Sequence, residues 1–83
     1  MTADQEAYFA LDLPRDLPDG SVGALRMIEA LRLKGYHVHL SIDLDGTTTV
    51  TARNHKIAKS GSGDSMWKAA LRCIQLVLAV YKE

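Results

Sequence analysis

The residues able to do chemistry fall into three groups. Ser60-Gly61-Ser62-Gly63-Asp64-Ser65 opens directly into a helical-looking run. Small residues ahead of a helix can let its free N–H groups approach a phosphate. His37 and His39 stand two apart, and on a strand both rings would share one face, where a metal could sit. Cys73 is the single thiol, and Asp43 and Asp45 are the closest carboxylate pair around a turn signal.

Each group lacks something its chemistry needs. A phosphate-binding loop needs G-x-x-x-x-G-K-[ST], and Asp64 stands where the lysine belongs. Asp64 would repel phosphate, and it serves better as a helix cap. Two histidines are not a metal site. His55 supplies a third ligand only if a third strand lies alongside, and Arg53, expected beside His37, repels a cation. Cys73 sits in the most apolar segment, where burial raises a thiol pKa and makes it inert. Asp43 and Asp45 flank a turn, and no Ser-His-Asp spacing suggests a triad. The expectation is a protein that is not an enzyme, with no metal and no cofactor.

The elements that carry these residues can be read from periodicity. Residues 1–20 form an N-terminal arm, with a short apolar centre from Tyr8 to Leu13 and then "PRDLPDG", whose prolines and glycine favour turns. Residues 21–83 form one α+β domain. A first helix is expected over about Ser21–Lys34, capped by Asp19 or Ser21 and closed by Gly35 at the C′ position. Ala24, Leu25, Ile28 and Leu31 are its expected inward face.

"YHVHLSID" alternates. Tyr36, Val38, Leu40 and Ile42 point one way, and His37, His39, Ser41 and Asp43 the other. "TTTVTAR" is a second strand, rich in β-branched residues. A two-residue Asp45-Gly46 loop would put Val50 on the wrong face. A three-residue Leu44-Asp45-Gly46 loop pairs Leu40 with Val50 and Val38 with Ala52, with glycine at the left-handed position, and this register is preferred. The polar face then carries His37 beside Arg53, His39 beside Thr51 and Ser41 beside Thr49. A short third strand is expected at His55–Ala58, then a loop at "SGSGD". A last helix runs over about Ser65–Tyr81, capped by Asp64 or Ser65. Lys68, Arg72, Gln75 and Lys82 form a narrow polar stripe on it, and nearly all the rest is apolar.

Totals restrict the function. Eighty-three residues make one small domain. Ten basic residues balance ten acidic ones, whereas a free-standing nucleic-acid binder usually carries a basic excess. Zero net charge also weakens the repulsion that keeps copies apart. One cysteine excludes an internal disulfide and suits a reducing compartment. No signal peptide or membrane span is visible, so a cytoplasmic setting is expected.

Two resemblances follow from these residues. The helix–strand–strand–strand–helix order, with "SGSGDSMWKAAL" leading into paired Ala69 and Ala70, resembles the double-stranded-RNA-binding fold. That family meets phosphates with lysines at the start of the last helix, where this chain has Met66, Trp67 and only Lys68. Its RNA-contacting strand 1–2 loop corresponds here to the acidic "DLDG". The segments "LPDGSVGALRMIEALRLKGYHVHLSI" and "SGSGDSMWKAALRCIQ" resemble the small "phage ABA sandwich" domains, over about residues 17–80. That resemblance implies a bacteriophage or prophage accessory protein acting in the host cytoplasm. Many such proteins inhibit a host defence complex by binding it, as anti-CRISPR proteins do.

The expected architecture is therefore α+β, with two helices packed on one face of a small antiparallel sheet. The expected activity is binding a protein partner, with a homodimer among the forms considered. The candidate surfaces are the polar sheet face (His37, His39, Ser41, Thr49, Thr51, Arg53) and the last helix around Trp67. The alternative is a nucleic-acid-binding domain with a basic strip of Arg53, Lys56, Lys59 and Lys68.

Overall fold

Turn chemistry sets the first hairpin. The computed structural model describes Leu11, Leu13 and residues 20–82, and strand β1 (His37–Ile42) returns as β2 (Thr48–Arg53), with Asp43 and Thr47 bonded across a Leu44-Asp45-Gly46 loop. Gly46 takes φ 91°, a conformation only glycine adopts without strain. Its N–H donates to the Asp43 carbonyl at 3.0 Å, and the Asp43 N–H donates to the Thr47 carbonyl at 2.9 Å. The Thr47 N–H also donates to Asp45 Oδ1 at 2.9 Å, which ties the loop from inside. The register is the one the apolar pattern favours: Leu40 lies opposite Val50 and Val38 opposite Ala52.

The next hairpin corrects the sequence reading. His55 and Lys56 form a turn rather than a strand, because Asn54 Oδ1 accepts from the N–H groups of Lys56 (2.8 Å) and Ile57 (2.9 Å). Strand β3 is Ala58–Gly63, so the Ser-Gly stretch expected to be a loop is a strand. It pairs antiparallel with β2, Gly61 opposite Val50 and Ser60 opposite Thr51. Glycine has poor strand propensity, but here packing decides. A Cβ on Gly61 would fall 2.3 Å from the Cys73 nitrogen and 2.5 Å from the Ala69 oxygen. Only a bare backbone fits beneath the last helix at that distance.

Helix α1 (Ser21–Leu33) precedes the sheet and α2 (Met66–Lys82) follows it, giving the order α1-β1-β2-β3-α2. The sheet order is β1-β2-β3, all antiparallel, and both helices cover the same face. The class is α+β, as expected. Gly20, with φ 85°, is the N-cap of helix α1, and no side chain caps it, contrary to the cap expected from Ser21; Asp19 lies outside the described residues. Its buried face is Gly23, Ala24, Met27, Ala30 and Leu31. Leu25, expected inside, is 56% exposed, and the fully buried Met27 takes its place. The i, i+3, i+4, i+7 series from Ala24 passes through residues 27, 28 and 31, not 25. Gly35 does terminate the helix, with φ 98°.

Ser65 caps helix α2, its Oγ accepting from the Lys68 N–H at 3.2 Å. Asp64 instead pairs with Lys68 Nζ at 3.0 Å. Ala69, Ala70, Cys73, Ile74 and Val77 bury their side chains against the sheet and α1. Trp67 and Leu78 are partly buried and pack on the same cluster. Most of the apolar surplus of this helix therefore faces inward, while Leu76 is 39% exposed. Met27, Leu31, Val50 and Ile74 are fully enclosed. Each such side chain contributes about 1.5–3 kcal/mol of transfer energy, set against the entropy of ordering the chain. Of the N-terminal arm, Leu11 is buried in the core and Leu13 packs against it; the rest of that expectation lies outside the described residues.

Candidate functional site: the open sheet face

With both helices on one side, the other side of the sheet is uncovered by any described element. The alternation of β1 and β2 delivers His37, His39, Ser41, Thr49, Thr51 and Arg53 to that side, in the expected pairs. His37, His39 and Arg53 are exposed, and Ser41, Thr49 and Thr51 are half-buried. A depression on this face is lined by His37, Val38, His39, Thr51 and Arg53.

β3 adds residues that the sequence reading missed. Ser60 and Ser62 stand on the same face, and their hydroxyls meet those of β2. Thr51 Oγ1 lies 2.8 Å from Ser60 Oγ, and Thr49 Oγ1 lies 3.2 Å from Ser62 Oγ. These cross-strand pairs hold two rows of hydroxyls in fixed positions. The signal that could have found them was the strict S-G-S-G alternation, which has the period of a strand. One face is hydroxyl, and the other is hydrogen for close packing.

The remaining candidates are dispersed. Trp67 belongs to the opposite layer, and its indole N–H is enclosed without a hydrogen-bond partner among the described residues. Lys56 lies in the β2–β3 turn, and Lys59 is on the helix side of the sheet, opposite Ala52. Lys68 is engaged by Asp64. Arg53 points to the open face, so these four cations do not line one surface. His55 is exposed in the turn, and no three His, Cys, Asp or Glu side chains gather at metal-ligand spacing among the described residues.

Two ionisable groups close to the sheet, Cys73 and Asp45, have clear electrostatics. Burial pushes the Cys73 thiol up, and its S–H donates to the Lys59 carbonyl at 3.6 Å. A thiol so placed is a packing element. Asp45 is held below the ordinary aspartate range, first by the Thr47 backbone N–H and then by the Thr47 side chain. It is part of the loop's scaffold. Among the described residues, no helix is long and apolar enough to cross a membrane. No protein family, curated relative or solved structure matches the chain.

Proposed function

We propose that this protein is a non-enzymatic binding module that docks its open sheet face onto a protein partner. The observation that carries the reading is the pair of hydroxyl rows, Thr49–Ser62 and Thr51–Ser60, set beside exposed His37, His39 and Arg53. An array of fixed donors and acceptors loses little entropy on docking. Its hydroxyls and imidazoles donate and accept, which suits the mixed polarity of a protein surface. Dispersed cations favour this over the nucleic-acid alternative, because phosphate binding needs lysines and arginines gathered along one track. The resemblance to small phage domains supplies the most concrete form, a phage or prophage accessory protein that inhibits a host defence complex by occupying it.

The test is capture from host lysate with a Thr49→Arg/Thr51→Arg double variant as the comparison. Both side chains project from a face that no described element covers, so the fold should persist while docking is blocked. A protein captured by the wild type and lost in the variant is the expected result. Capture that ignores the variant overturns the reading. So does a nucleic acid that is retained at low salt, released steeply as salt rises and lost in the variant.

A further inference from the structure

The two outer edges of the sheet differ. Beside the β3 edge, Arg72 and Gln75 of α2 stand next to Ser60 and Ser62, and Lys59 lies within the strand. Charged and bulky neighbours of this kind discourage another strand from pairing. Among the described residues, β1 has none of these guards. His37–Ile42 contains no lysine, proline or glycine, and no described strand pairs with its outer side. Leu40 is 38% exposed and Ile42 63% exposed, both on the helix-covered side where strands normally bury apolar residues.

The phase of the backbone shows what would fit. Asp43 and Thr47 are a hydrogen-bonded pair. Such pairs alternate along an antiparallel ladder, so His37, His39 and Ser41 bond inward to β2. The N–H and C=O groups of Val38, Leu40 and Ile42 therefore point outward. A partner strand must present the same spacing of free groups, and β1 itself does.

We propose that β1 pairs antiparallel with β1 of a second copy, about a two-fold axis through Leu40. In this register Leu40 faces its own counterpart, Val38 faces Ile42, His39 faces Ser41, and His37 faces Asp43. Apolar residues meet apolar residues on the helix side, and the histidine end of each strand meets the acidic end of the other. A one-residue slip would set apolar against polar side chains throughout. A slip centred on His39 would oppose the two His39 rings and lose both His37–Asp43 contacts. The chosen register forms about six backbone hydrogen bonds. It joins two three-stranded sheets into one of six strands, with the hydroxyl face continuous across the dyad. Net charge of zero leaves no global repulsion against the association. This inference concerns the edge and stands apart from the reading of the face.

The test combines mass, amide exchange and two variants of the full chain. Sedimentation from micromolar to submillimolar concentration should show a particle of twice 9.1 kDa, little changed by salt. The amides of Val38, Leu40 and Ile42 should become protected from exchange as concentration rises, by about tenfold or more. Leu40→Lys places two ammonium groups together at the axis and should give a folded monomer. Leu40→Cys should form a disulfide with its counterpart, because a hydrogen-bonded pair holds its Cα atoms about 5.5 Å apart, within bonding range. A wild-type monomer at every concentration, with fast exchange at the three amides, overturns the proposal. So does a dimer in which those amides stay unprotected. The wild-type exchange decides the matter even if the lysine variant fails to fold.

Discussion

Substituting alanine for Gly61 separates two physical effects of opposite sign. In a loop, or in a strand with open space above it, Gly→Ala stabilises a protein by about 0.4–1 kcal/mol by restricting the unfolded chain. Gly61 has neither setting. Its added methyl would lie 2.3 Å from the Cys73 nitrogen, 2.5 Å from the Ala69 oxygen and 2.9 Å from the Arg72 carbonyl carbon. All three are backbone atoms of α2, so no side chain can rotate away. Ordinary contact begins near 3.4 Å, which means the helix must retreat by about 1 Å. A gap of that size forfeits roughly a quarter to a half of the dispersion energy of the facing atoms. Overpacking costs about 1–3 kcal/mol, and the rigidity of the obstacle puts Gly61 at the upper end. After the entropic gain, a net loss of about 2–2.5 kcal/mol remains. A domain of 83 residues has a total stability of about 4–12 kcal/mol, so the loss is a large fraction. At about 4–8 °C per kcal/mol, the thermal midpoint should fall by roughly 10–20 °C. Circular dichroism melts and urea titrations of the two proteins read this directly. A midpoint that rises or stays level would refute the close packing of β3 under α2. Gly63→Ala is the internal comparison: its nearest obstacle is the Lys68 Cβ at 2.8 Å, with the Ala69 nitrogen at 3.4 Å, so a smaller loss is expected.

Three further outcomes are expected. Met27→Ala should cost about 2–5 kcal/mol and Leu25→Ala within about 0.5 kcal/mol, since one is fully buried and the other mostly exposed; urea denaturation giving the reverse order would refute the placement of α1. Cys73 should react with a thiol reagent at a rate limited by unfolding, and fast labelling of the native protein at mildly alkaline pH would contradict its burial. Asp45 should titrate by NMR below its ordinary value of 3.8. Its carboxylate then supports the fold above that value and loses the contribution as pH falls through the lower folded pKa, so Asp45→Ala should flatten the acid limb of the stability curve.

Periodicity made the first hairpin legible. Apolar alternation in β1 and β2, combined with the demand for glycine at a left-handed turn position, left one register that matches on both faces. The candidate face followed, because every residue of a strand is assigned to a side once one is. What periodicity could not deliver was β3. Its inward residues are Lys59, Gly61 and Gly63, none of them visible to a hydrophobic pattern, and its strand identity depends on a helix that arrives later in the chain. Ser60 and Ser62 were lost with it, and so was half of each hydroxyl pair. Leu25 was misplaced because two adjacent apolar residues on a helix differ by a large angle, and only one can join the stripe. The Gly20 start of α1 was missed because an exposed glycine with positive φ can take the place of a side-chain cap.

The proposal that the open sheet face is the docking surface is tested most directly by photo-cross-linking in bacterial lysate. One chain carries the cross-linker at Thr51, in the middle of the face, and another carries it at Glu29, exposed on α1. A discrete protein adduct from position 51 and none from position 29 is the predicted result. An adduct from position 29 alone, or a nucleic-acid adduct at position 51, would contradict it.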